Sequence, residues 1–462
     1  MNRFLLVGLL LLSPLLRATE RPPNIVYLIA DDHSWTDYGF MGNERVHTPN
    51  LDKLARQSAQ FPNGYLNCSV CRPSLVTLLT GLYQHQHGIH FNHGPPGNSG
   101  YNKMTSVDEY VEVRSREFEL IRKVKTLPGI LSSESGYRCL QTGKFWEGHW
   151  RNGGFTEGMT TFTAPPPSQT FGGIRKLASG DPVAHGNGDH GLQIGRETMQ
   201  PITDFIVDCE KEKTPWLVWY APYLPHQPHD APEKFVKIVS EIPGVQTHEI
   251  PYFASIAQFD ETVGTLIDFV ETESDPGNTL FVFVADNGWS PSTKPEKKHP
   301  GEFVHTKNSK RAPFDEGIRS PILIRWDGKV TPAIHSELVS SVDIVPTLIT
   351  AAGAEVPANL PGKNLLSPLQ KNRTVFGAIY PGDATTWGDP AGDVAYLWAR
   401  QGKYKLIKPA REKPWQNFLK KPALFDVEDD PKEARNLIDQ QEFKSVAEEL
   451  SLAIDLWYQM AK

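Results

Sequence analysis

The chain has 462 residues, 39% of them apolar and 22% charged, with a formal net charge of -7. Such a composition is that of a globular protein with a large core, long enough for one large domain and a smaller one, or for two to three domains. The modest negative charge argues against a general nucleic-acid binder and leaves open the capture of a small anion, which depends on local charge.

Taken in order, residues 1–20 come first, with the pattern of a processed segment: Arg3 is basic, residues 4–12 form a nearly unbroken apolar run, and Ser13-Pro14 breaks it. The run is too short to span a bilayer and reads as a secretory signal peptide, which predicts a secreted or periplasmic protein. No later segment is apolar enough to act as a stable membrane anchor. Residues 24–30 are a short branched apolar stretch of the kind buried on both faces in a parallel sheet. Thr48-Pro49-Asn50 then opens a helix with Leu51, Leu54 and Ala55 on one face. Further strands are expected at 216–220, 280–285 and 322–325, and helices at 253–270 and 344–352. The fold class predicted is α/β: a large, mainly parallel or mixed central sheet flanked by helices, spanning residues 21–365. Residues 366–462 read as a smaller α+β subdomain with an antiparallel sheet, with strands at 375–380, 394–400 and 404–407 and a closing helix at 442–460. The basic, proline-rich stretch 290–311 reads as a loop.

Four cysteines occur, Cys68, Cys71, Cys139 and Cys209. They allow one or two disulfides of unreadable pairing, and the single C-x-x-C spacing is a weak zinc signal. Asn67-Cys68-Ser69 and Asn372-Arg373-Thr374 fit the glycosylation acceptor pattern.

Two expected strands run directly into oxygen ligands: Ala30 into Asp31-Asp32, and Ala285 into Asp286-Asn287. Ligands of open α/β sheets gather outside the carboxyl ends of strands. Three carboxylates and an amide placed there suit a hard cation, calcium or magnesium, better than zinc or copper. Capping of helices or turns is the alternative for each pair taken alone.

Residues 71–81, Cys-Arg-Pro-Ser-Leu-Val-Thr-Leu-Leu-Thr-Gly, predict a helix with Pro73 in its first turn and Gly81 at its end. Cys71 then sits at the helix N-terminus, where dipole and free N–H groups favour an activated thiolate, a candidate nucleophile.

This stretch resembles the signature of the type I sulfatases of the alkaline phosphatase superfamily, in which the cysteine is oxidised to formylglycine. The resemblance extends to residues 24–32, Thr48-Pro49-Asn50-Leu51, Gly136-Tyr137, Thr142-Gly143-Lys144 and Pro225-His226-Gln227-Pro228-His229. It continues through Asp286-Asn287-Gly288, residues 309–319, Leu424-Phe425-Asp426 and residues 430–437. It implies a calcium ion, with magnesium the second choice, held by Asp31, Asp32, Asp286, Asn287 and the modified Cys71. It implies that a hydrated aldehyde attacks sulfur, releases the alcohol, and then expels sulfate through its second hydroxyl. Lys144, His226 and Lys310 match positions that hold the sulfate or assist the leaving group, with His229 and His149 as further substrate contacts. The expected partners are a sulfated carbohydrate or other sulfate ester and, during maturation, a formylglycine-generating enzyme.

Two positions depart from that pattern. Leu75 stands where the signature has arginine, and Arg72 would point elsewhere on a helix. Trp146 stands where the family commonly has a histidine; His149, after a bend at Gly148, or His85, His87 or His90 are the candidates to replace it. The departures admit two other readings, a metal-dependent phosphoester hydrolase using unmodified Cys71 and a catalytically silent sulfated-glycan binder. The loops 92–110, 151–189 and 387–391 are the expected substrate rim, with Tyr101, Phe171 and Trp387 as aromatic rings that stack on sugars or simply pack.

Overall fold

Asn24–Ala30 form a strand (β1) buried from end to end, as their branched apolar run predicts. In this computed structural model, residues 21–166, 171–290, 307–411 and 418–459 are described. The expected signal segment 1–20 and most of the 290–311 loop lie outside them. Seven more strands join β1 in one sheet: β2 (Ala59–Phe61), β3 (Arg138–Gly143), β4 (Glu157–Gly158), β5 (Trp216–Ala221), β6 (Thr279–Ala285), β7 (Ile322–Trp326) and β8 (Ala333–Ile334). Their spatial order is β8-β2-β7-β6-β1-β5-β3-β4. Only β7 pairs antiparallel, with β6 and β2; the other pairings are parallel. The mixed sheet is the one expected, and β2, β3, β4 and β8 are additional strands that periodicity did not single out.

Alternate residues of β1 feed two separate cores. Ile25, Tyr27 and Ile29 face a layer that includes α2 (Cys71–Thr80), α3 (Leu127–Ser135) and α6 (Ile344–Ala351). Val26, Leu28 and Ala30 face α1 (Pro49–Arg56), α4 (Gln200–Glu212) and α5 (Ile250–Glu273). Each fully buried aliphatic side chain in these layers contributes about 1.5–3 kcal/mol. Helix α2 ends at Gly81, whose φ of 71° is the left-handed C-cap geometry that glycine supplies without strain.

A second sheet holds β9 (Thr374–Ile379), β10 (Tyr396–Gln401), β11 (Tyr404–Pro409) and β12 (Ala423–Asp426) in sequential antiparallel order. Helix α7 (Lys444–Gln459) covers one face through Ala447, Leu450, Ile454 and Trp457. The other face packs Val375, Trp398 and Phe425 on Tyr65, Phe314 and Ile318 of the larger layer.

Two expectations need correction. All four cysteines are free and buried, so no disulfide forms among them. Asn67 is buried, its amide donating to the Ser340 hydroxyl and the Phe376 carbonyl, so that acceptor pattern is closed to a glycan. Asn372 is exposed.

Candidate active site

The parallel register of β1 and β6 sets Ala30 beside Ala285. Both chains therefore leave the sheet at one edge, carrying Asp31-Asp32 and Asp286-Asn287. Asp32 takes a left-handed backbone, φ 58°, and its N–H donates to Asp286 Oδ1 at 3.0 Å. Asn287 Nδ2 donates to Asp32 Oδ1 at 2.6 Å. Cys71 is the first residue of α2, preceded by an extended Val70, and its Sγ lies 3.9 Å from Asp32 Oδ1. One side-chain atom from each of Asp31, Asp32, Cys71 and His226 falls within 4.8 Å of the others.

Two lysines close on this cluster. Lys144 follows β3, pairs with Asp31 and lies 3.5 Å from Asp286 Oδ2. Lys310 Nζ is 2.7 Å from Asp32 Oδ2. The His226 ring stacks on Tyr223 at 4.2 Å. Its Nδ1 lies 2.7 Å from the Gln227 carbonyl, which can only accept, so the Nδ1–H donates and Nε2 faces Asp32 at 3.4 Å.

Burial is the first cause acting on every ionisable group here. It pushes Asp31 well above the ordinary carboxylate range and raises Asp286, with the neighbouring carboxylates adding to both and Lys144 opposing. Burial raises Asp32 as well, yet Lys310 and then His226 outweigh it and hold that group low. The Cys71 thiol is pushed up to about 11 by burial, despite Lys144 and Lys310. The helix N-terminus therefore does not make it a thiolate, contrary to the sequence-based expectation; an unmodified Cys71 is a weak nucleophile.

Asp31 Oδ2, Asp286 Oδ2 and Asn287 Oδ1 are buried and accept no hydrogen bond among the described residues. Unmet buried acceptors cost about 1–3 kcal/mol each. Formally, Asp31, Asp32 and Asp286 bring three negative charges against two positive ones from Lys144 and Lys310, a net excess of one negative charge. A divalent cation reverses that sign, and the oxygen-only donors Asp31, Asp32, Asp286 and Asn287 fit calcium or magnesium.

The sequence profile of the sulfatase family matches residues 23–354. The chain belongs to the sulfatase family. A second profile, that of the N-sulphoglucosamine sulphohydrolase C-terminal region, matches residues 301–458. Arylsulfatase A of Bos taurus is 28% identical, over 91% of this chain and 84% of that protein. N-acetylgalactosamine-6-sulfatase of Homo sapiens is 25% identical, over 89% of this chain and 81% of that one. The solved PsFucS1 sulfatase from Pseudoalteromonas sp. shares the fold with a TM-score of 0.68 at 20% identity, covering 95% of this chain and 90% of its own. As an enzyme, this sulfatase falls among the sulfuric ester hydrolases.

The sulfatase departs from its family's signature in ways the packing explains. Leu75 is buried in the core beneath α2. Arg72 turns away from the carboxylates into a buried network, paired with Glu147 through two bonds of 2.7 Å and with Glu117 at 2.7 Å. The candidate replacements for the histidine expected at Trp146 lie elsewhere. His85 stacks on Tyr83 beside Trp457, His87 bonds Thr77 inside the fold, and His90 pairs with Asp393 at 2.8 Å. Gly148 bends as expected, with φ 76°, yet the contacts of His149 are local, with the Arg151 N–H and the Trp150 ring. His229 rests 5.4 Å from the Tyr252 ring. Among the rim aromatics, Tyr101 is fully buried with its hydroxyl donating to the Gly94 carbonyl, so it packs instead of facing a sugar. Phe171 lies under the Arg196 guanidinium, and Trp387 is 37% exposed.

What the sequence missed is a pair of histidines from the rim loops. His93 and His185 flank Trp146, with ring centroids 5.6 and 5.7 Å from it. Both lie in the segments 92–110 and 151–189, but no spacing rule singles them out, because their neighbourhood is made by three loops distant in sequence.

Proposed function

We propose that this chain removes sulfate from a sulfated carbohydrate outside the cytoplasm, using formylglycine at position 71 and a calcium ion held by Asp31, Asp32, Asp286 and Asn287. The observation that carries this reading is the meeting of Cys71 with the carboxylates of two strand ends, where buried oxygens lack donors and the formal local charge is one negative in excess of balance. An alcohol sulfate and water give the alcohol and sulfate. When bound, the cation offsets anionic charge and lowers the pKa of a coordinated hydroxyl; a hydrated aldehyde side chain supplies two hydroxyls on one carbon.

The chain's own residues then have defined tasks. Lys144 and Lys310, both buried, are placed to hold sulfate oxygens, with ammonium groups that keep their charge at neutral pH because the carboxylates outweigh burial. His226, oriented by its Nδ1–H on the Gln227 carbonyl, presents Nε2 toward the site. To serve the leaving oxygen it must first take up a proton there, against the burial that pushes its pKa down and with Asp32 favouring the charged form. The raised thiol pKa disfavours a reaction through unmodified Cys71. A carbohydrate substrate is supported by the sugar named in the N-acetylgalactosamine-6-sulfatase relative. An extracytoplasmic location is supported by the apolar N-terminal segment; among the described residues no helix is long and apolar enough to cross a membrane.

Peptide mass spectrometry of protein from its native host, paired with sulfate release from 4-nitrophenyl sulfate and sulfated monosaccharides, tests the reading. The expected result is an aldehyde at position 71 and release of sulfate. A thiol there in an active preparation overturns it.

A further inference from the structure

His93, Trp146 and His185 form a closed triangle of rings, with centroid separations of 5.6, 5.7 and 5.8 Å. Asn187 adjoins it, its carbonyl accepting the Phe145 N–H. Each of the four carries a buried polar atom with no partner among the described residues: His93 Nε2, Trp146 Nε1, His185 Nδ1 and Asn187 Oδ1. Four such atoms on adjoining residues, at about 1–3 kcal/mol each, are more than ordinary packing leaves unmet.

The polarity of each atom follows from its surroundings. Asp383 Oδ1 can only accept, so His93 Nδ1–H donates to it at 3.0 Å and Nε2 carries a lone pair. Arg175 can only donate, so His185 Nε2 accepts from it at 3.4 Å and the proton sits on Nδ1. Burial, joined by Arg114 and Arg175, pushes both imidazoles below their ordinary pKa, which keeps them neutral. The niche thus offers two donors, His185 Nδ1–H and Trp146 Nε1–H, and two acceptors, His93 Nε2 and Asn187 Oδ1.

Its place is fixed from several sides. Asn92, beside His93, accepts the N–H of Arg72, the residue after Cys71, at 2.9 Å. Trp146 lies two residues beyond Lys144. The His93 N–H donates to the Gly382 carbonyl, and Gly382 lies against Arg311, the residue after Lys310.

We propose that His93, Trp146, His185 and Asn187 form a hydroxyl-reading subsite beside the sulfate position, which selects a neutral, hydroxyl-bearing sugar ring. The inference rests on the sulfate-ester reading above and adds the class of group recognised next to the ester. A hydroxyl both gives and accepts a hydrogen bond and so matches mixed partners. A second sulfate or a carboxylate only accepts and would meet two lone pairs, and an aromatic leaving group satisfies none of the four. Asp383 and Arg175 are positioning residues that set the two tautomers.

The test compares wild type with His93→Phe and His185→Phe, which keep a ring while removing its polar atoms. Kinetics are measured on 4-nitrophenyl sulfate and on a panel of monosulfated hexoses and hexosamines, and saturation-transfer NMR reads binding of the same sugars. On the preferred sugar, kcat/KM is expected to fall about tenfold or more, while 4-nitrophenyl sulfate changes by less than about twofold by the same reasoning. Equal losses on both substrates overturn the subsite and place these histidines in the sulfate chemistry. A wild type that binds none of the sugars, or prefers 4-nitrophenyl sulfate to all of them, also overturns it. Sugar binding that disappears in the variants, without sulfate release by wild type, strikes the proposed chemistry and supports the subsite.

Discussion

Glu433 Oε2 accepts the backbone N–H of Asp315 at 2.6 Å. Lys405 Nζ lies 2.6 Å from a carboxylate oxygen of each, and all three side chains are buried. Glu433 follows β12, Lys405 is on β11, and Asp315 stands five residues after Lys310, so the smaller sheet grips the turn that delivers an ammonium group to Asp32. Lys405→Met leaves two buried carboxylates facing each other and is expected to destabilise the fold by about 3–5 kcal/mol. Denaturant midpoints measure this; a shift worth less than about 1 kcal/mol rejects the clamp.

Calcium is expected to raise the melting temperature and a chelator to lower it, because a ligand that binds only the native state at 100 times its Kd stabilises by about 2.7 kcal/mol. Asp286→Ala, which removes one of the unmet acceptors, is expected to abolish both the calcium-dependent shift and sulfate release. A calcium response surviving in that variant contradicts the ligand assignment.

Leu75 is 5% exposed among Val76, Leu79 and the sheet. Leu75→Ala is expected to cost about 2–5 kcal/mol through the cavity it leaves. Leu75→Arg restores the residue common in the signature but buries a charge, so it should also lower the unfolding midpoint. A neutral or stabilising Leu75→Arg shows that the position opens toward Cys71.

His87 is held well below its ordinary value of 6.5, by burial first and then by His85, His90 and Arg72. The unfolded chain therefore takes up a proton below pH 6.5 that the native state refuses. Stability from this group is full above the unfolded pKa and is lost as pH falls below it. The advantage of wild type over His87→Gln, measured by urea unfolding, is expected to shrink between about pH 7 and pH 5. A gap that is constant or widens on acidification rules the linkage out.

Much of the site was legible because its signals are local. The runs before Asp31 and Asp286 mark buried strands, and the parallel register that sets Ala30 beside Ala285 then brings together the four oxygen-bearing side chains that follow them. Pro73 and Gly81 bracket a helix that starts at Cys71. Arg72 points away from the site, as its place on that helix predicts. What stayed hidden depends on chain segments meeting from afar. His93 and His185 become neighbours only when two loops fold over Trp146, and Lys405 and Glu433 look like surface charges until the smaller sheet packs on the turn at Asp315. Burial also reverses local arguments: it outweighs the helix start at Cys71 and closes the acceptor pattern at Asn67.

Cys71 is only 2% exposed in the finished fold. A catalyst that grips several residues of backbone on either side of this side chain needs the segment extended, so conversion is expected to precede folding. Protein made in a host without that catalyst is expected to keep a thiol at position 71, and mixing the folded protein with the catalyst is expected not to convert it.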